Sequence, residues 1–208
     1  MCKSGFGYVN ESGDGRMTAW LNYWGLRLQA ILLLLVGQRA AACDRFELMA
    51  TRWPNDRYAL ASLAHVHAQL GDKHAALAAL DRLTSAFPDN PAAWFNLGFM
   101  QESMGHTLAG EVAFKRAIGI DPKMDRAWYG LALILIHERR FDEAVAALKE
   151  NTKLQPMSPY GWYQLARVHV DRNEPEEAAK IIRHLRGFEP KVAAQLERET
   201  GLAKAQAS

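Results

Sequence analysis

The stretch that decides the fold runs from Trp94 to Pro122 and reads "WFNLGFMQESMGHTLAGEVAFKRAIGIDP". Apolar residues recur in it at spacings of three and four, the pattern of one buried helix face, first before Gly105 and again after it. A glycine directly after a helix is a common stop, and a proline pushes the residue before it out of the helical region. The stretch therefore predicts two short helices that form one antiparallel hairpin.

The landmarks of this hairpin recur every 34 residues along the chain. Small residues at the eighth and twentieth positions of the period let the two helices of a hairpin approach closely. Since a single hairpin cannot bury its apolar face alone, we predict four stacked units, at 57–90, 91–124, 125–158 and 159–192. The residues that set the register are Pro88, Pro122, Pro156, Pro190, Trp94, Trp128 and Trp162, with Leu60 one period before the first tryptophan.

The repeat resembles the tetratricopeptide repeat family, both in the stretch quoted above and in "AWYGLALILIHERRFDEAVAALKENTKLQP" (127–156). The resemblance covers Arg57 to about Lys191. It implies an all-α fold, a right-handed superhelical α-solenoid of stacked antiparallel helix hairpins. The chain departs from the family pattern in three ways. Gly110 replaces the usual alanine, Asn151 replaces a small residue, and the family's aromatic at the eleventh position is replaced by His67, Gln101, Leu135 and His169. We expect these departures to soften individual helix interfaces without threatening the fold.

The same register extends beyond the four units in both directions. Residues 23–56 fit a fifth, degenerate unit, so we predict an N-terminal helix hairpin over 17–56, with Gln29 as a polar exception at a core position. Residues 193–208 continue as one amphipathic helix and a tail, which is the polar cap that repeat stacks need. Residues 1–16 are rich in glycine and polar residues and are predicted to be a disordered tail.

The apolar stretch from Leu28 to Cys43 leaves two locations open for the chain. Its uninterrupted apolar run is seven residues long. A membrane-spanning helix needs about 20, so we predict no membrane span. The repeat register places residues 28–36 in the first helix of the fifth unit and Cys43 in its second helix, which predicts a cytoplasmic protein. The alternative is an export signal that starts at Met17 and is cleaved before Cys43, so that the chain is exported or membrane-anchored through residues 17–43.

Composition and motifs restrict the function classes. With 49% hydrophobic residues the chain can bury a core, and a net charge of +2 does not indicate a nucleic-acid partner. The sequence has no glycine-rich phosphate loop and no nucleophile signature, and no two histidines have the i, i+4 spacing of a helical metal site. We therefore predict a protein that is not an enzyme and that uses no cofactor and no metal.

The family resemblance also implies where a partner binds. In that family the first helices of the units line a concave groove, and an aromatic and apolar groove suits an extended or helical peptide. The candidate groove residues are Tyr58, His65, Phe95, Phe99, Glu102, Arg126, Tyr129, Leu133, His137, Tyr160, Tyr163, Arg167 and Asp171. The family's carboxylate clamp for a chaperone C-terminus is disfavoured, because only Asn96 and the charge of Arg126 match its five positions.

The leading hypothesis is a non-enzymatic scaffold or adaptor that binds a protein or peptide in this groove. Two alternatives stay open. One is an envelope-attached assembly factor, exported or lipidated at Cys43, and the other is an accessory subunit that recruits substrate for an enzyme complex. The run Leu32–Leu35 also predicts a self-associating or partner-docking surface, with homodimerisation through the N-terminal repeat as the specific form.

Overall fold

The computed structural model describes residues 13–202, and all regular secondary structure in this range is α-helical. The all-α prediction is therefore confirmed, and helices α3 to α10 fall two to each predicted 34-residue unit. The helices are α1 (Gly13–Leu35), α2 (Arg39–Arg52), α3 (Arg57–Gln69), α4 (Lys73–Ala86), α5 (Pro91–Ser103), α6 (Thr107–Ile120), α7 (Asp125–His137), α8 (Phe141–Leu154), α9 (Pro159–Asp171), α10 (Pro175–Arg186) and α11 (Pro190–Thr200).

The chain divides into two compact units, residues 1–86 and 87–208. In the first unit, α1 packs on α2, α2 on α3 and α3 on α4. In the second, each helix from α5 to α11 packs on the next, while α5 also contacts α7 and α9 also contacts α11. The contact between α5 and α7 brings the first helices of two successive hairpins side by side, as stacking of hairpins requires.

The recurring tryptophan and proline residues share one structural role. The indole N–H groups of Trp94, Trp128 and Trp162 each donate to the carbonyl oxygen of the proline six residues earlier, at 2.8, 2.9 and 2.9 Å. Each ring is half-buried against the hairpin, and a buried indole N–H needs such an acceptor. The bond ties the turn that ends one hairpin to the first helix of the next, which explains why the two residue types repeat together.

The turn inside each hairpin contains a residue in the left-handed backbone region. Gly37, Gly71 and Gly105 adopt it with φ between 78° and 81°, which confirms the predicted helix stop at Gly105. In the next two hairpins Arg139 and Asn173 take the same conformation, with φ of 61° and 60°. A Cβ atom makes this conformation costly, less so for asparagine than for arginine.

The core of the second unit contains a large ring in a narrow space. Phe114 of α6 is buried, and it occupies a position of the 34-residue repeat where the other three repeats have leucine or isoleucine. A Cβ atom added at Gly98 would lie 2.8 Å from this ring, and one added at Gly130 would lie 2.6 Å from it. Because packed carbon atoms do not approach so closely, the two glycines are what makes room for the phenylalanine.

Two of the departures from the family pattern, Asn151 and Gly110, are tightly packed, so the expectation that they soften their interfaces is wrong. The buried Asn151 side chain donates to the carbonyl oxygen of Asp125 at 2.9 Å. It fills the space above Gly161, where an added Cβ would lie 2.1 Å from the Asn151 Oδ1. At Gly110, an added Cβ would lie 3.2 Å from the carbonyl oxygen of Gly98, so this glycine lets α5 and α6 approach.

The N-terminal hairpin, α1 and α2, differs from the prediction in two details. Helix α1 begins at Gly13, so residues 13–16 are helical instead of part of a tail, and residues 1–12 lie outside the described range. Gln29 is exposed and the next residue, Ala30, is buried, so the placement of Gln29 in the core is wrong. Between residues 13 and 202, no helix has the length and apolar character needed to cross a membrane.

The C-terminal helix α11 begins at Pro190, three residues before the start predicted for the cap. Leu196 is fully buried, and Gly201 ends the helix with a left-handed φ of 72°. Residues 203–208 of the predicted tail lie outside the described range. The helix packs on α10 and α9, which covers the end of the second unit.

Candidate functional site

The structure brings seven of the thirteen candidate groove residues together around one cavity of about 300 Å³ in the second unit. They come from the first helices of three successive hairpins, α5, α7 and α9. We call this cavity the aromatic pocket. The seven residues are Phe95, Phe99, Glu102, Arg126, Tyr129, Leu133 and Tyr160.

Helix periodicity explains why these side chains share one wall. Phe95, Phe99 and Glu102 are spaced by four and three residues on α5, and such residues lie on one face of a helix. Arg126, Tyr129 and Leu133 on α7 are likewise spaced by three and four. Since α5 and α7 pack side by side, their two stripes face the same cavity.

The floor of the pocket comes from residues that the sequence did not identify. Phe114 of α6 reaches the cavity because Gly130 of α7 has no side chain to cover its ring. The Phe95 and Phe114 rings lie 5.8 Å apart and tilted by 46°, within the range of attractive aromatic pairs. The only sequence signal for this floor was a large residue on a second helix opposite two glycines.

Polar residues at one side of the pocket were also missed. Asp125, Asn151, Gln155 and Ser158 line the cavity from the start of α7, from α8 and from the turn before α9. The family pattern assigns groove positions to first helices only, so it does not point to residues of second helices or of turns. Asn151 is already held by its hydrogen bond to Asp125 and gives the pocket a fixed polar edge.

The side chain of Arg126 places a cation at the aromatic pocket. The Arg126 guanidinium lies 4.9 Å from the centre of the Phe95 ring, a cation–π contact. Among the residues that the structure describes, no ion pair involves Arg126. Its N–H groups are therefore available to a carboxylate of a bound partner.

Sequence comparisons identify the family. Tetratricopeptide repeat models match residues 59–100, 104–163 and 138–189. The chain belongs to the tetratricopeptide repeat family. No curated protein sequence matches this chain.

Solved structures with the same fold include MamA proteins and YrrB. MamA aligns with a TM-score of 0.74 at 17% identity, over 87% of this chain and 94% of that chain. MamA 41-end from Desulfovibrio magneticus RS-1 gives 0.72 at 20% identity, over 86% and 96%. YrrB, a tetratricopeptide repeat protein "with an unusual peptide-binding site", gives 0.70 at 16% identity, over 81% and 88%. At these identities the likeness shows the fold alone, and it confirms the predicted α-solenoid class.

Two candidate groove residues of this tetratricopeptide repeat protein belong to the first unit. The Tyr58 ring lies under the Arg27 guanidinium at 3.9 Å and against Phe46 at 5.9 Å. The His65 ring is hydrogen-bonded to the Gln69 side chain at 2.9 Å. Tyr58 thus has a structural role inside the N-terminal hairpins, and His65 is satisfied on the surface of its own helix.

The remaining four candidates lie outside the aromatic pocket. The Tyr163 hydroxyl donates to Glu199 of α11 at 2.6 Å, and this hydrogen bond raises the pKa of the tyrosine and lowers that of the glutamate. Arg167 and Asp171 line a separate hollow with residues of α11. His137 is exposed at the end of α7 and does not line the pocket. The C-terminal helix of the repeat stack therefore occupies part of the surface that the sequence assigned to a ligand.

Cys43 and His67 are the one close pair of a thiol and an imidazole among the described residues, with Sγ 3.4 Å from Nε2. Burial raises the pKa of the Cys43 thiol, and nearby carboxylates add to this, so the thiol stays protonated near neutral pH. Across residues 13–202, no group of three or more His, Cys, Asp or Glu side chains is arranged to hold a metal ion.

Proposed function

We propose that this tetratricopeptide repeat chain is a non-enzymatic scaffold that binds a protein or peptide segment in the aromatic pocket. The observation that carries the proposal is the cavity of about 300 Å³ that α5, α7 and α9 form with aromatic side chains. Apolar pockets with a few polar groups at the edge are the usual form of binding sites. YrrB, which has the same fold, is described as having a peptide-binding site, and this supports the same class of ligand here.

The pocket favours a segment with a bulky apolar anchor. Phe99 and Tyr160 are 58% and 70% exposed at its edge, and large rings left in solvent gain most when a partner covers them. The cavity is large enough for a Leu, Met or Phe side chain of the partner together with its neighbouring backbone. Arg126 adds a preference for a carboxylate beside the anchor.

Selection from a library of random peptides displayed on phage tests the proposal without knowledge of the natural partner. The probe for measurement is one selected peptide, synthesised with a fluorescent label, whose dissociation constant is measured by fluorescence polarisation. The test variant is Phe99→Ala with Tyr129→Ala, which removes two pocket rings. The matched control is Leu108→Ala with Val112→Ala, two exposed apolar residues of α6 that do not line the pocket.

We expect the selected peptides to share a large apolar residue. We expect the pocket variant to bind the probe roughly 30-fold or more weakly, which is the size of a hot-spot loss. The control variant should bind as the wild-type chain does, and circular dichroism should show both variants helical. A folded pocket variant that keeps full affinity would overturn the assignment of the pocket.

We propose a cytoplasmic location over export. Cys43 is buried within α2 and contacts His67 of α3, and cleavage before Cys43 would remove all of α1, which packs on α2. These contacts support residues 17–42 as part of the fold. An intact mass of the protein from its native host that includes residues 17–42 is the expected result. A mature chain that begins with a lipid-modified Cys43 would contradict it.

We infer that self-association, which the sequence also predicts, uses a surface separate from the pocket. The pocket residues belong to 87–208, whereas the N-terminal hairpin belongs to 1–86.

The hypothesis of an accessory enzyme subunit stays a prediction, and an activity screen of co-purified proteins is its test.

A further inference from the structure

Helix α1 has an apolar stripe that the described residues leave at least 36% exposed at every position. Nine large apolar side chains, eight on α1 and one on the residue that follows it, are between 36% and 76% exposed. They follow one another at spacings of mostly three and four residues, so they lie along one face of the helix. The stripe consists of Met17, Trp20, Leu21, Trp24, Leu28, Ile31, Leu32, Leu35 and Val36.

The other side of α1 is apolar as well. Ala30 is fully buried, and Leu26 and Leu33 are partly buried, where the helix packs on α2. A helix face as apolar as either of these two is usually buried against another surface. Within the described residues, α1 is covered on one side only, so its composition calls for a second covering surface.

We propose that this surface is the same stripe of a second copy of the chain, so that the protein is a two-fold symmetric dimer through α1. At roughly 100 Å² for each of the nine side chains, the stripe exposes about 900 Å². The largest apolar patch of a typical monomer is about 300–600 Å², and a stable interface buries about 800 Å² per partner. The stripe is therefore too large for an ordinary monomer surface and matches one side of a dimer interface.

The order of residues along the stripe suits antiparallel pairing with the same stripe of a second chain. The two tryptophans, Trp20 and Trp24, lie in its first half, and the branched aliphatic residues from Leu28 to Val36 fill the second half. In an antiparallel pair related by a two-fold axis, the rings of each copy face the aliphatic half of the other. The axis then passes between Trp24 and Leu28, near the middle of a helix about 35 Å long.

A membrane surface fits the stripe less well. Helices that lie in a bilayer interface have many Lys and Arg residues on their polar face. In α1 the basic residues are Arg16 and Arg27, and the Arg27 guanidinium lies 3.9 Å from the Tyr58 ring and 4.9 Å from the Trp24 ring. With so few cations at its edges, the stripe indicates a protein surface of the same apolar character, as dimer interfaces have.

Sedimentation velocity of the full chain tests the dimer. We expect twice the monomer mass of 23.3 kDa for the wild-type chain. The concentration range is about 1–100 µM, which brackets a micromolar dissociation constant. The test variant is Leu28→Glu with Leu32→Glu on the stripe, and the control is Leu108→Glu with Val112→Glu, an equally spaced and exposed pair on α6.

The stripe variant should sediment as a monomer, because unpaired carboxylates in an apolar interface weaken it by roughly 100-fold or more. The control should stay dimeric, and circular dichroism should show both variants as helical as the wild type. Three results would overturn the proposal. The first is a wild-type chain that sediments as a monomer and binds phosphatidylcholine vesicles. The second is a wild-type chain that sediments as a monomer and dimerises only after removal of residues 1–12. The third is a stripe variant that stays dimeric.

Cross-linking between single cysteines tests the same interface without charged substitutions. In a chain with Cys2→Ser and Cys43→Ala, Leu28→Cys places a thiol near the proposed axis, and Leu35→Cys places it at the end of the helix. In the antiparallel pair the two copies of residue 35 are about 25 Å apart along the helix, and the two copies of residue 28 are about 5 Å apart. We expect a short bifunctional reagent to link the chains at 28 and not at 35. Linking at 35 alone would overturn the antiparallel arrangement.

Discussion

Replacing Gly130 with alanine tests the packing that shapes the floor of the aromatic pocket. The added Cβ would lie 2.6 Å from the Phe114 Cζ atom, and the ring cannot move toward Gly98, where an added Cβ would also lie within 2.8 Å. Overpacking of this kind costs about 1–3 kcal/mol. Alanine gains about 1 kcal/mol over glycine in a helix, so we expect a net loss of up to about 2 kcal/mol in the free energy of unfolding.

A second substitution separates these two contributions. Phe114→Leu removes the ring and introduces the residue that stands at the equivalent position of two other units. In that background Gly130→Ala meets no ring and retains only the helix-propensity gain, so we expect it to stabilise the chain by about 1 kcal/mol. The effect of Gly130→Ala should therefore differ between the two backgrounds by about 1–3 kcal/mol, which is the coupling energy of a double-mutant cycle.

Urea unfolding followed by far-ultraviolet circular dichroism measures all four chains of the cycle. Gly119→Ala on the same helix as Phe114 is the control, because an added Cβ there meets no atom within 4 Å. Its effect should be the same in both backgrounds. Additivity of Gly130→Ala and Phe114→Leu to within about 0.5 kcal/mol would refute the steric account of the pocket floor.

Three further predictions concern the second unit. Hydrogen bonds from Arg140 and Lys115 lower the pKa of the buried Glu111 carboxyl from 4.5 to about 2. The ionised Glu111 carboxylate therefore stabilises the folded chain fully above pH 4.5, and this stabilisation is lost as pH falls through 2. On acidification, the free energy of unfolding of the wild type should fall by roughly 2–3 kcal/mol more than that of Glu111→Gln. Trp128→Phe removes one indole hydrogen bond and should cost about 0.5–1.5 kcal/mol in urea unfolding. Arg139→Gly relieves a left-handed residue and should stabilise the chain by about 0.5–1 kcal/mol, visible as a higher midpoint temperature.

Each of these predictions has an outcome that contradicts it. Equal acid sensitivity of the wild type and Glu111→Gln would show that the ion pairs of this carboxylate do not contribute to stability. A Trp128→Phe chain as stable as the wild type would mean that the recurring hydrogen bond to proline adds nothing to folding. A lower midpoint for Arg139→Gly would mean that the flexibility of the unfolded glycine outweighs the strain of the arginine.

The 34-residue period was enough to predict the helices, and the resemblance to the family implied which residues line the walls of the pocket. Residues at fixed positions of each first helix must lie on one face, so Phe95, Phe99 and Tyr129 converge in any stack of such hairpins. The floor could not be predicted in the same way. Phe114 comes from a second helix, and it reaches the pocket only because Gly130 has no side chain to cover its ring. A glycine in a helix carries no chemical group that would mark it in the sequence as part of a binding site.

The two ends of the chain were harder to predict for a different reason. Among the described residues, the first and last hairpins have a neighbouring hairpin on one side only, so the repeat register does not determine which side of a helix is covered. Gln29 was assigned to the core by register and is exposed, while the apolar residues around it form an uncovered stripe. At the other end, Glu199 of α11 binds the Tyr163 hydroxyl, because the last helix packs where the register leaves a ligand surface.

A methyl-detected NMR titration with a phage-selected peptide tests the central claim most directly. Leu133 lines the aromatic pocket, and Leu108 is exposed on α6 away from it, so their methyl resonances report on two separate surfaces. Binding in the pocket predicts that the Leu133 signals shift in proportion to the bound fraction while the Leu108 signals stay in place. A saturable shift at Leu108 with unchanged Leu133 signals would contradict the account and place the partner on another face of the repeat stack.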